Sequence, residues 1–471
     1  MDKTIENFGL YLDLYELTMA QGYFFRDRNN IHANFDYFFR KNPFNSGYTI
    51  FAGLEDFLEL VEKFKFGDQS IDYLYKLGFK SEFLDFLKTF RFNGKIYSVN
   101  EGEIVLPNEP IIVVEGNLIE TQLLESLLLN IINFESLIAT KARRIRYTAK
   151  GKKIADFGLR RAQGLAAIHA SRAAIIGGCD NTSNVLSAFL FDLIPTGTQA
   201  HSWIQSFGDE LTAFRKFAEL YPHNCVLLVD TYNTLKSGIP NAIVVAKELE
   251  EKGYKLSAIR LDSGDLAYLS KQARIMLDEA NLNYVKIIVS NQLDEYLIKS
   301  LIDQESPIDG FGVGTSLITG QKDAALDGVY KISKVDNKPT IKLSEDLAKV
   351  TLPGKKKIIR CFDSENKFYA DAIVLEEENM HEIDLIFHTY NTNKKCSLKN
   401  YYKEAIISKV FEDGKIIQKK KSVKEISEFL NFRFLQLPDE HKRFEFPHIY
   451  KVGISKKLLD LRDELLKRRD K

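Results

Sequence analysis

The first 120 residues carry apolar positions at both helical and extended spacing. In residues 55–64 (EDFLELVEKF), Phe57, Leu58, Leu60, Val61 and Phe64 fall on one side of a helix. Lys95–Val99 and residues 111–114 read as strands, with a turn around Pro107 and Asn108. From about 121 to 330 the pattern changes, and short apolar runs alternate with helical ones. Residues 225–229 (CVLLV) form a buried-strand run, followed by DTYNT and a helix opened by Pro240. Ala258–Leu261 leads into DSGD and a helix with Leu266, Leu269, Ala273 and Leu277 on one side. Residues 285–289 (VKIIV) lead into SNQLD and another helix, and Gly310–Val313 runs into Gly314 and Thr315. Strand, polar loop and helix repeating at roughly thirty residues per unit mark parallel βα construction.

Asp230, Asp262, Asn291 and Thr315 all lie just beyond the C-terminal end of such a strand. In a closed βα barrel those ends converge on the face where substrate sites are built. An open doubly wound sheet also places ligands at strand ends. The sequence leaves both open, and the number of units favours an irregular barrel. From about 331 strands return: KISKVDNKPTIKLS and IIRCFDSENKFYADAIVL both have the pattern of hairpins. A charged helix closes the chain, with Ser455 as its N-cap. Three regions are therefore expected, 1–120, 121–330 and 331–471.

Composition narrows the class. A chain of 471 residues exceeds one typical core, so two or three packed units are expected. Lys+Arg and Asp+Glu both number 65, and the resulting zero formal charge argues against a nucleic-acid surface. Cys179, Cys225, Cys361 and Cys396 form no CxxC pair, which points to reduced thiols in a cytosol rather than a disulfide or zinc framework. The N-terminal MDKTIENFGLYLDLYELTMA has acids where a secretory signal carries a basic start and an apolar run. The most hydrophobic stretch, 118–138, contains Glu120, Glu125 and Glu135, which fits a buried or interface helix better than a membrane span. The expectation is a soluble cytoplasmic protein whose partners include neither nucleic acid nor membrane.

Four loops carry candidate chemistry. DSGD at 262–265 places two carboxylates about a glycine, suited to ribose hydroxyls or Mg²⁺; the plainer reading is a turn whose Asp265 caps the next helix. Arg260, two residues before Asp262 on an extended chain, shares its face and suggests a fork for an anionic ligand. GVGT at 312–315 offers small residues and backbone N–H groups that a phosphate can approach. Arg160 and Arg161 follow the short strand at 153–157, and GTQAH at 197–201 puts an imidazole close to a hydroxyl. Such an imidazole is suited to act as a base or as a phosphoryl acceptor. No HExxH, GxSxG or Walker A pattern occurs.

Ten segments, in order, carry a family resemblance: LDLYELTMAQGYF, LIETQLLESLLLNIINFESLIATKARRI, DFGLRRAQG, GGCDNTSNV, GTQAHSW, LLVDTYNT, IRLDSGDL, VSNQLDE, GVGTSLIT and KVTLPGKKKIIRCFD. Over nearly its whole length the sequence resembles nicotinate phosphoribosyltransferases. The resemblance implies an α/β fold, an irregular βα barrel with an α/β sandwich domain formed from both ends of the chain. It implies a homodimer with shared active sites, and Mg²⁺, phosphoribosyl pyrophosphate and ATP as cofactor and co-substrates. It makes His201 the histidine that ATP phosphorylates. Tyr15, from the partner subunit, and Phe157 would hold the nicotinate ring, with Thr198 and Arg260 in contact with it. Arg160, Asp262, Gly264, Asn291, Gly314 and Thr315 would line the phosphoribosyl pyrophosphate site; the metal ligands are left open. The neighbouring reading, a nicotinamide phosphoribosyltransferase, would place an aspartate where this chain has Thr182, Ser183 and Asn184. A non-catalytic homologue acting as a binding protein is the other alternative.

Overall fold

The computed structural model describes residues 7–28, 30–345 and 349–469. The chain divides into two compact units, one made of Met1–Leu137 and Ala325–Lys471, the other of Ile138–Ala324. The divisions expected at 121 and 331 thus fall at 138 and 325. Leu118, Leu124, Leu127, Leu128 and Ile132, on helices Leu118–Gln122 and Glu125–Thr148 and their junction, are buried in the first unit's core. The first division falls between Leu137 and Ile138, inside helix Glu125–Thr148, so no loop marks it in the sequence.

The first unit draws on both ends of the chain. Strand His32–Phe39 lies between Gly328–Val335 and Ile112–Asn117, antiparallel to each, in a seven-stranded sheet. Helices Leu54–Lys63, Asp68–Lys76 and Ser81–Lys88 bury Phe57, Leu58, Val61, Ile71, Leu74, Phe83 and Leu87 in the same core as that sheet's Phe35, Tyr37 and Ile96. The amphipathic spacing read in residues 55–64 is what makes this packing possible. A second sheet of six strands contains the expected hairpin of Lys356–Phe362 and Phe368–Leu375. Helix Lys456–Arg469 follows, capped where Ser455 Oγ accepts from the Leu458 N–H at 3.1 Å.

The second unit is built on six parallel strands in the order Asn181–Thr182, Lys153–Asp156, Gly310–Val313, Lys286–Ser290, Ala258–Leu261, Val226–Leu228. Its two edges are brought together by one short segment. Pro195 makes a parallel bridge to Thr182 at one edge, and three residues on the Thr198 hydroxyl donates to the Val226 carbonyl at the other, 2.8 Å away. An open doubly wound sheet keeps its edges apart, whereas a barrel joins them. The unit is an irregular barrel, and a side chain supplies one of its closing bonds.

Candidate active site

The loops after Val226–Leu228 and Ala258–Leu261 are tied together. Asp230 Oδ2 accepts from the Asp262 backbone N–H at 2.7 Å and from Ser263 Oγ at 2.6 Å. Gly264, at φ 78°, makes the turn that follows. Asp265 then caps helix Leu266–Glu279 by accepting from the Tyr268 N–H at 3.1 Å. Asp265 is thereby committed to the helix, and Asp262 is the carboxylate of this turn that meets the neighbouring loops.

Arg260 and Asp262 do share a face, with Nη2 3.3 Å from Oδ1. Ser290 fixes both: its Oγ accepts from Arg260 Nε at 3.0 Å and donates to Asp262 Oδ1. The guanidinium carbon lies 5.6 Å from the centroid of the Phe157 ring, a cation–π distance. Among the described residues no hydrogen bond engages Nη1 of Arg260, which leaves donors of the fork for a ligand.

The Phe157 ring lies over Gly312. A Cβ at that glycine would sit 2.4 Å from ring carbon Cε2, so only glycine admits the ring. The Phe157 N–H donates to the Val313 carbonyl at 2.8 Å. Its neighbour Asp156 is fully buried and accepts from the Gly158 N–H at 2.8 Å, Ser171 Oγ at 2.7 Å and Thr182 Oγ1 at 2.8 Å. Burial pushes the Asp156 carboxyl up, partly offset by those donors. Thr182 Oγ1 in turn accepts from the Asn184 N–H at 3.0 Å. The Phe157 loop and the 182–184 loop are thus locked to one buried carboxyl.

His201 opens the short helix His201–Gln205. Its Nδ1 lies 3.0 Å from Thr231 Oγ1 and its Nε2 3.8 Å from Asp262 Oδ2, with 41% of the side chain exposed. An imidazole open to ligand, oriented by a hydroxyl and faced by a carboxylate, can take up a proton or a phosphoryl group. Asp230 Oδ1 is buried without a hydrogen-bond partner, which is the state of an oxygen donor suited to a hard divalent cation.

The other expected residues are placed as follows. Thr198 spends its hydroxyl proton on barrel closure, and its Oγ1 also accepts from the Gln199 N–H at 2.5 Å. Asn291 is exposed at φ 89°, with Gln292 also at positive φ, a strained turn of the kind that clusters at functional sites. Gly314 precedes helix Thr315–Ile318, whose first residue is exposed. Arg160 lies exposed on the single turn Leu159–Arg161. Tyr15 belongs to the first unit, 44% exposed on helix Leu14–Phe24, with its phenol pushed up by burial and by Glu125. The structure therefore brings together Phe157, His201, Arg260 and Asp262. It adds Thr231, Ser290 and Asp156, whose positions next to recognised loop residues were the available signal.

This constellation sits on a chain with clear relatives. A model of the nicotinate phosphoribosyltransferase (NAPRTase) family matches residues 152–378, and models of its N-terminal and C-terminal domains match 10–133 and 355–462. The nicotinate phosphoribosyltransferase of Bacillus subtilis (strain 168) is 42% identical, covering 96% of this chain and 93% of its own. The chain belongs to the nicotinate phosphoribosyltransferase family. The mouse nicotinate phosphoribosyltransferase is 31% identical across 97% of this chain and 96% of its own length. The crystal structure of human nicotinic acid phosphoribosyltransferase superposes with a TM-score of 0.86 at 28% identity, covering 96% of this chain and 99% of that one. A nicotinate-nucleotide pyrophosphorylase from Pyrococcus furiosus gives 0.74 at 26% identity, covering 93% and 97%. The family's two-unit architecture is thus shared, barrel included. One stretch among the described residues, Leu118–Thr148, is long and apolar enough to cross a membrane, and most of it is buried within the protein.

Proposed function

We propose that this chain makes nicotinate mononucleotide and pyrophosphate from nicotinate and phosphoribosyl pyrophosphate, with ATP hydrolysis coupled through phosphorylated His201, for NAD synthesis. The observation that carries the proposal is the contact chain Thr231–His201–Asp262–Arg260 at the strand ends. It puts an imidazole and a guanidinium fork beside the same acid, which supports a phosphoryl acceptor and a carboxylate site side by side.

In this reading the Arg260 fork binds the nicotinate carboxylate while the Phe157 ring covers one face of the pyridine. Tyr15 of the partner subunit covers the other face. The pyridine nitrogen attacks ribose C1, and the bond from C1 to the pyrophosphate oxygen breaks with its electron pair leaving on pyrophosphate. Asp262, Gly264, Asn291, Gly314, Thr315 and Arg160 surround the phosphoribosyl moiety. Asp262 and the free oxygen of Asp230 would hold Mg²⁺, which would supply positive charge to offset that on the pyrophosphate. Thr198 acts at the ring site through backbone position, its hydroxyl being committed to Val226. Phosphorylation of His201 favours the conformation that binds substrates tightly.

A homodimer fits the exposed apolar cluster of Val185, Leu186, Phe189 and Leu190 on helix Val185–Leu190, with Ile194 beyond it, each at least 50% exposed. An apolar cluster of this kind is what an isologous contact covers. A cytoplasmic location agrees with the four free cysteines. The test is a mononucleotide assay with phosphoribosyl pyrophosphate, Mg²⁺ and ATP, supplied with either nicotinate or nicotinamide. Product from nicotinate at a kcat/KM at least a hundredfold higher is expected; equal use of the amide, or no product from either, overturns the reading.

A further inference from the structure

A groove of about 740 Å³ opens in the first unit, on residues that the barrel chemistry does not use. Lys394, Lys395, Lys451 and His388 line it, and no Asp or Glu does. Among the described residues none of the three ammonium groups makes a salt bridge. Two lie against aromatic rings instead: Lys451 Nζ is 4.0 Å from the Tyr369 centroid and Lys395 Nζ 5.4 Å from that of Phe387. Tyr369 is itself held by stacking on Tyr401 at 3.8 Å.

The carboxylate bonded to the groove wall does not neutralise them. Tyr450 donates to Asp371 at 3.1 Å, but Asp371 is fully buried and bound by Nε and Nη2 of Arg360 at 2.6–3.1 Å. His388 Nδ1 accepts from the N–H groups of Tyr390 and Asn391 at 3.2 and 3.1 Å. That assigns the proton of the neutral ring to Nε2, which becomes a further donor. Three exposed cations and a donor therefore line a groove whose lining carries no counter-charge, and an anion bound there is attracted by each. The volume lies in the range of small-molecule sites and is far larger than one phosphate fills. Tyr390 and Ile449, 38% and 86% exposed, supply the flat apolar surface that a base takes.

We propose that this groove is a nucleotide site outside the barrel, with phosphates on Lys394, Lys395 and Lys451 and the base against Tyr390 and Ile449. Equilibrium dialysis of the full-length protein against the radiolabelled imido analogue of ATP tests it. One equivalent per chain should disappear in the K394A/K395A/K451A variant, whatever the barrel contributes. The single charge reversal Lys451→Glu should weaken that equivalent at least tenfold while the melting temperature stays unchanged. Pyrophosphate alone should compete for it at least tenfold more weakly than the nucleotide. A stoichiometry identical in wild type and both variants overturns the site, and pyrophosphate binding as tightly as the nucleotide overturns its assignment to a nucleotide.

Discussion

The hydroxyl of Thr231 lies 3.0 Å from Nδ1 of His201, across two different βα units. It fixes the ring so that Nε2 faces Asp262. Thr231→Val keeps the shape and removes the bond, which costs about 0.5–1.5 kcal/mol. Phosphorylation of His201 by ATP should then slow by roughly two- to tenfold, while Thr231→Ser retains the wild-type rate. Rapid-quench labelling from γ-labelled ATP measures both; equal rates for Val and wild type would show that the contact orients nothing.

Arg260 is expected to select the acid over the amide. Lysine keeps the charge but not the fork, nor the contact with Ser290. Loss of one charged hydrogen bond is worth about 1.5–3 kcal/mol, so Arg260→Lys should raise the nicotinate KM by one to two orders of magnitude. The KM for phosphoribosyl pyrophosphate should change less than threefold. An unchanged nicotinate KM places the carboxylate elsewhere.

Gly312 gives a prediction about shape. Alanine there would press on the Phe157 ring at 2.4 Å, against backbone that the barrel sheet holds. Overpacking of this kind costs about 1–3 kcal/mol. Gly312→Ala should lower the melting temperature modestly, and lower kcat/KM for nicotinate by more than tenfold because the ring is displaced. Full activity would mean that Phe157 has no positional role.

Much of the barrel was legible in the sequence because buried parallel strands are continuous apolar runs. Ala258–Leu261 and Gly310–Val313 were read with their observed bounds, and 225–229 and 285–289 within a residue or two. Strand His32–Phe39 was not. Its buried Asp36 is paired at 2.7 Å with Lys356, more than three hundred residues away, and no local window reveals that pairing. In the site, the Arg260–Asp262 relation followed from the two-residue period of a strand. Ser290 reaches it from the end of strand Lys286–Ser290 and Thr231 from another loop, relations that local spacing does not determine.

Glu16, next to Tyr15, supplies a pH dependence. It is fully buried, its Oε2 has no hydrogen-bond partner, and burial raises its carboxyl to about 7. The folded chain therefore holds this proton more tightly than the unfolded one. The resulting stability is fully present below the unfolded carboxyl value of about 4.5 and is lost as pH rises through about 7. The difference amounts to about 3 kcal/mol. Glu16→Gln should flatten the melting-temperature profile between pH 5 and 8 (roughly the window of the shift) and raise stability at its upper end. A variant that melts lower than wild type at pH 8 would contradict this.

The central claim is that His201 couples ATP to a glycosyl transfer performed by other residues. The most direct measurement follows His201→Asn with nicotinate and phosphoribosyl pyrophosphate, with and without ATP, recording mononucleotide, ATP hydrolysis and acid-labile phosphate on the protein. Phe157, Arg260 and Asp262 do not depend on His201 for their mutual contacts. The variant should therefore lose hydrolysis and label, yet make mononucleotide slowly at a rate indifferent to ATP. Label still taken up on histidine would name another acceptor, and complete loss of synthesis in a folded variant would put His201 at the ribose itself.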